Sequence, residues 1–155
     1  MNFIKQLPLL EGYTDILVMV DWLTKQALFI LTIRSLNAAM LAELFIKHIF
    51  LKHGIPSHIT SDWGIEFVFK FFRSLANALD MKLHFTLGYH PEADGQIECT
   101  NQTLKQFLRI YCNYQQLDWS WLLPLAEFVY NNILSSTTGI SPFYENKGYH
   151  PKIHL

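Results

Sequence analysis

The chain has 155 residues, half of them apolar, and a formal net charge of −1. That length and apolar content predict one domain with a core of its own rather than a disordered tail. The charge excludes the broadly basic surface of a stand-alone nucleic-acid binder, though not a local site working through metal ions, and the apolar runs are too short to span a membrane.

No signal-peptide pattern opens the chain, so the expected compartment is the nucleus or the cytoplasm. Cys99 and Cys112 fall on one predicted helix at a separation of about 20 Å. That is beyond disulfide reach, and both read as free thiols. The seven histidines form no zinc pattern with them.

Residues 1–4 read as a short first strand, closed off by Pro8 and Gly12. Residues 14–21 are nearly all apolar in the middle, as in a strand buried on both faces. Residues 26–33 make a third strand, joined to the second by a turn at Asp21-Trp22-Leu23-Thr24-Lys25. Asn37 caps a helix running to about His53, where Gly54 and Pro56 stop it. Its core stripe comes from the apolar members of the set Leu41, Leu44, Phe45, His48, Ile49 and Lys52. A short strand at 57–61 ends at Asp62. A helix over 68–79 turns Phe72, Leu75, Ala76 and Leu79 inward. Residues 82–87 alternate like a half-buried strand, and 88–95 form a loop. A long amphipathic helix covers 96–114, with Leu104, Phe107, Leu108 and Tyr111 toward the core. A last helix, containing Pro124, covers 119–132, and a turn-rich segment covers 135–141. This order, β-β-β-α-β-α-β-α-α, predicts an α/β fold with a five-stranded mixed sheet flanked by helices.

Asp62 and Glu98 stand out within this layout. Thirty-five residues lie between them. One carboxylate sits at a predicted strand end and the other near a helix start. Two such groups brought together can hold divalent metal ions for phosphate chemistry.

The surrounding motifs resemble the integrase catalytic core of gypsy-type LTR retrotransposons, in the retroviral integrase superfamily. They are Asn2-Phe3-Ile4 with Leu7-Pro8; Ile16 through Lys25; His53-Gly54-Ile55-Pro56; and Ser61-Asp62-Trp63-Gly64. Tyr89-His90-Pro91 through Glu98 follows, then Asn101-Gln102-Thr103-Leu104. Trp119, Leu122 through Asn132, Thr137 through Phe143 and Gly148-Tyr149-His150-Pro151 complete the series. The resemblance covers nearly the whole chain. It implies a ribonuclease H-like fold, with a catalytic core at 1–142 and a C-terminal extension or linker at 143–155.

The resemblance also implies a three-carboxylate site. Asp62 and Glu98 match its second and third members, as metal ligands and catalytic residues. Asn2 stands where the first aspartate belongs, and Trp63 stands where arginine is usual. The implied reactions are hydrolytic processing of DNA 3′ ends and transfer of the new hydroxyl to a target phosphodiester. Two Mg²⁺ (or Mn²⁺) ions about 4 Å apart assist both displacements. Asparagine offers one neutral oxygen at the bridging position, so weak metal binding and impaired catalysis are expected. Asp21 is a remote substitute for the missing carboxylate.

Glu98, Asn101 and Lys105 fall at i, i+3 and i+7 on one helical face. The resemblance implies that Asn101 and Lys105 approach the DNA end, and the 88–95 loop, placed just before Glu98, offers Tyr89, His90, Glu92 and Asp94 as further contacts. The implied partners are LTR ends, target DNA and a second copy of the core. Trp119 and Trp121, with Leu122, Leu125 and Phe128, fit packing or such a dimer contact better than base stacking. A non-enzymatic remnant and a domesticated binding module are the competing readings. With no zinc module before the core and no basic module after it, the chain is expected to be a piece of a longer polyprotein or a truncated copy.

Overall fold

The computed structural model describes residues 1–56, 58–61, 63–80, 91–114 and 118–152, with the backbone alone for 91–94. Strand β1 (Asn2–Ile4), β2 (Asp15–Val20) and β3 (Ala27–Thr32) form an antiparallel sheet in that order. Register pairs Asn2 with Val18, Ile4 with Ile16 and Val18 with Phe29. The predicted meander is therefore present. Ile16, Leu17 and Val18 are fully buried, as a strand that is apolar on both faces requires.

Helix α1 (Ala38–Phe45) starts at Asn37, whose side chain accepts the Met40 N–H at 3.0 Å. It passes through a π-helical turn (Ile46–Phe50) into α2 (Leu51–His53) and stops at Gly54, whose φ of +78° suits glycine. Leu41 and Phe45 of the predicted stripe are buried. Leu44, His48 and Ile49 are half-buried, and Lys52 is exposed. Helix α3 (Ile65–Leu79) begins earlier than predicted. It buries Val68, Phe71 and Leu75, while Phe72, Ala76 and Leu79 are half-buried. Phe71 carries the contact with α1, its ring meeting Phe45 edge-on at 5.6 Å.

Helix α4 (Pro91–Tyr111), α5 (Trp119–Asn132) and α6 (Pro142–Lys147) complete the described elements. Helix α5 has the predicted bounds and runs through Pro124. Ser141 caps α6 by accepting the Tyr144 N–H, and Pro142 fills its first position. Phe143 of α6 is buried with its ring 5.6 Å from Phe128 of α5.

Two expectations need correction. The sheet has three strands among the described residues, not five, and it is antiparallel rather than mixed. Residues 58–61 of the predicted 57–61 strand are irregular. β-structure exists only where two segments pair in register, and the described ladders join β1, β2 and β3 alone. The predicted strand at 82–87 lies outside the described residues. The 88–95 loop is helical from Pro91 onward. Proline's fixed φ and missing N–H suit the first helical position, so the helix starts there and absorbs Asp94 and Gly95.

The described chain divides into two compact units, Met1–Arg34 with Gly95–Leu155, and Ser35–Asp94. In the first, Ile4, Ile16, Val18, Ala27 and Phe29 of the sheet pack with Leu104 and Leu108 of α4. Trp119, Leu123 and Ala126 of α5 complete that cluster. The second is built on the packing of α1 against α3.

Candidate metal and nucleic-acid site

Residues directly opposite on an antiparallel ladder point to the same face of the sheet. Asn2 is opposite Val18, and Val18 is opposite Phe29. Asn2 therefore shares the face bearing Val18, Ile4 and Phe29, and α4 and α5 pack on that face. Its amide oxygen accepts the Phe3 N–H.

Glu98 stands on α4, exposed, two residues past Gln96. Ile97, Asn101, Leu104 and Leu108 are spaced 4, 3 and 4 residues apart and form the buried stripe of the helix. Asn101 thus lies on the core side, whereas Glu98 and Lys105 are exposed. Spacing alone had grouped the three, but an i+3 neighbour sits at the edge of the face, where packing decides its side. The Asn101 Oδ1 is buried and has no hydrogen-bond partner among the described residues. The stripe ends at Leu108. Tyr111, expected in the core, is 60% exposed and lies against Phe107 at 4.5 Å between ring centres.

Asp21 is committed elsewhere. Its Oδ2 accepts the Thr24 N–H at 2.8 Å and the Thr24 hydroxyl at 2.7 Å, closing the β2–β3 turn. Trp63, beside Asp62, packs edge-on against Phe67 of α3. Asp62, Tyr89 and His90 lie outside the described residues, and only the backbone of Asp94 is described.

Among the described residues no three His, Cys, Asp or Glu side chains gather as a metal centre. The donors that are described are an exposed carboxylate at Glu98 and a neutral amide oxygen at Asn2 already bonded to Phe3. An amide oxygen carries no charge, so it suits a position between two dications less well than a carboxylate would.

Several residues around α4 carried no predicted role. The Lys25 ammonium donates to Gln96 Oε1 at 3.0 Å and lies 4.1 Å from the centre of the Trp22 ring. The Thr100 hydroxyl donates to the Gln96 carbonyl at 2.9 Å and meets the Tyr130 hydroxyl at 2.9 Å. Burial raises the Tyr130 pKa, with the Thr100 bond opposing it, so that phenol remains neutral. Lys25 and Gln96 both lie inside the quoted motifs, which was the only signal available for them. Trp119 is packing: it is 1% exposed and donates from Nε1 to the Pro8 carbonyl at 2.9 Å. Trp121 and Leu125 on the same helix are exposed.

No family model matches the chain. It is 31% identical over 153 residues to the Tf2-3 and Tf2-4 transposon polyproteins of Schizosaccharomyces pombe. The match takes in 99% of this chain, which spans only 12% of those relatives' length. Among solved structures, a chain of the simian T-cell lymphotropic virus intasome superposes with a TM-score of 0.69 at 19% identity. That match covers 99% of this chain and 56% of the other. The HTLV-2 integrase catalytic core domain, solved in complex with magnesium in a trimeric form, gives 0.64 at 19% identity, covering 92% and 91%.

Proposed function

From a homologue of part of a retrotransposon polyprotein, folded as a retroviral integrase catalytic core, we propose an integrase core domain whose DNA-joining chemistry is impaired at Asn2. The observation that carries this is the placement of residue 2. It lies on the sheet face where α4, the helix of Glu98, is packed, which supports reading its amide as standing in for the first carboxylate. Asp62 and Glu98 remain the proposed metal ligands by their match to the family motifs, with weakened affinity for Mg²⁺ or Mn²⁺. A bound ion would supply charge neutralisation at a phosphodiester. Lys105, exposed on α4, meets DNA phosphate as a point charge. Tyr89, His90 and Asp94 are the other proposed contacts to LTR ends and target DNA, and Asn101, on the core side of α4, is not one of them. A second copy of the core is the proposed protein partner, with Trp121 and Leu125 supplying exposed apolar area on α5. The nucleus or cytoplasm is the proposed compartment. Among the described residues no helix is long and apolar enough to cross a membrane.

Asn2→Asp tests the reading: Mn²⁺-dependent strand transfer on LTR-end DNA should rise well above that of the unaltered chain. Equal activity in the two forms would mean that the first carboxylate comes from elsewhere. The second reading, a non-enzymatic remnant that binds nucleic acid, is favoured by the same asparagine. It predicts retention of LTR-end DNA with no response to metal in either form.

A further inference from the structure

We infer that Lys25 is a positioning residue for Glu98, acting through Gln96. This rests on the proposal that Glu98 is a metal ligand, and it concerns what holds that carboxylate still. A carboxylate must be held to within a fraction of an ångström to serve as a ligand, and an exposed one on a helix gets no such restraint from packing. The restraint here comes from the residues on either side. Two positions before Glu98, the Gln96 side chain accepts the Lys25 ammonium at 3.0 Å. Two positions after it, the Thr100 hydroxyl is held by the Gln96 carbonyl and the Tyr130 phenol, both at 2.9 Å. The helical turn that carries Glu98 is thus fastened at both ends, to the β2–β3 turn by Lys25 and to α5 by Tyr130.

The Lys25 end of this fastening is itself a hydrogen-bonded turn. Lys25 adopts φ of +61°, a left-handed conformation that lysine rarely takes. Its N–H donates to the Asp21 carbonyl at 3.0 Å, and the Asp21 N–H donates to the Gln26 carbonyl at 2.9 Å. The Asp21 carboxylate closes the turn on Thr24 from within. The Lys25 ammonium reaches Gln96 on α4, and the Trp22 ring, 4.1 Å from it, limits where that charge can go. One turn residue in an unfavourable conformation, with a charged hydrogen bond to a residue 71 positions away, is an arrangement that folding of the hairpin alone does not need.

Lys25→Asn is the discriminating variant. Asparagine tolerates the left-handed conformation but cannot reach Gln96, so the turn survives and the tether does not. Amide hydrogen exchange on the metal-free chain should quicken severalfold at 97–101, with little change elsewhere. Gln96→Leu should do the same, and the double variant no more than either alone. In an Asn2→Asp background, Lys25→Asn should weaken Mn²⁺ binding about tenfold, as loss of a supporting contact to a ligand does. Lys25→Arg, which keeps a donor and a cation over Trp22, should restore it. Unchanged exchange at 97–101 overturns the tether. Faster exchange with unaltered Mn²⁺ affinity overturns the positioning role. The underlying metal-site reading fails separately, if Glu98→Gln in the Asn2→Asp background leaves Mn²⁺ binding unchanged; the exchange result then still decides the tether.

Discussion

Asn131 is committed to the backbone of β3. It is fully buried on α5, and its amide both accepts the Ala27 N–H and donates to the Ala27 carbonyl, each at 2.8 Å. One turn earlier, Glu127 Oε2 accepts the Phe29 N–H at 2.7 Å. β3 lies at the edge of the described sheet, where unpaired backbone groups invite a foreign strand. The two side chains, four residues apart, give alternate β3 amides a partner. Asn131→Ala should leave two buried backbone groups unsatisfied and cost about 2–4 kcal/mol in denaturant unfolding. His48 gives a second residue-scale outcome. Burial first, then Lys47 and Lys52, lowers its pKa below the ordinary 6.5. A folded state that resists protonation has its full stability above pH 6.5 and loses it as pH falls from there through the lowered value. His48→Gln should therefore flatten the fall in melting temperature between pH 6.5 and 5.

Individual elements follow local chemistry. Asn37 and Gly54 bracket the first helical run, and the β1–β2–β3 meander follows from short, nearly continuous apolar runs separated by a tight turn at Asp21. Both were legible because caps, turn residues and periodicity act over a few residues. The start of α4 was misplaced because Asp94 and Gly95 resemble a turn, whereas Pro91 sets the first helical position. Gly95 consequently sits inside a helix, without a positive φ and with open space where a Cβ would go. Gly95→Ala should stabilise the chain by about 0.5–1 kcal/mol, read as a higher urea midpoint. The face of α4 was legible only in part. Leu104 and Leu108 were assigned correctly to the core. Asn101 at the edge of the stripe was not, because its side depends on how α4 is rotated against the sheet.

For the whole molecule, metal linkage is the simplest reporter. A ligand bound only by the folded state raises the melting temperature with its concentration. Millimolar Mn²⁺ should shift the unaltered chain little and the Asn2→Asp variant by several degrees. An equal shift in both would count against a role for residue 2 in the site. At this scale the sequence by itself determined the opening three-strand meander and most of the helices after it, the homology with a transposon polyprotein and the asparagine at residue 2. Each of these is written in residue identity and spacing. Only the tertiary structure decided that Asn2 faces the layer containing α4, that Asp21 is occupied by Thr24, that Trp119 is core while Trp121 is exposed, and that Lys25 reaches Gln96. Those facts depend on strand register, helix rotation and a left-handed turn residue, which bring together positions far apart in the chain and are fixed only once the core has packed.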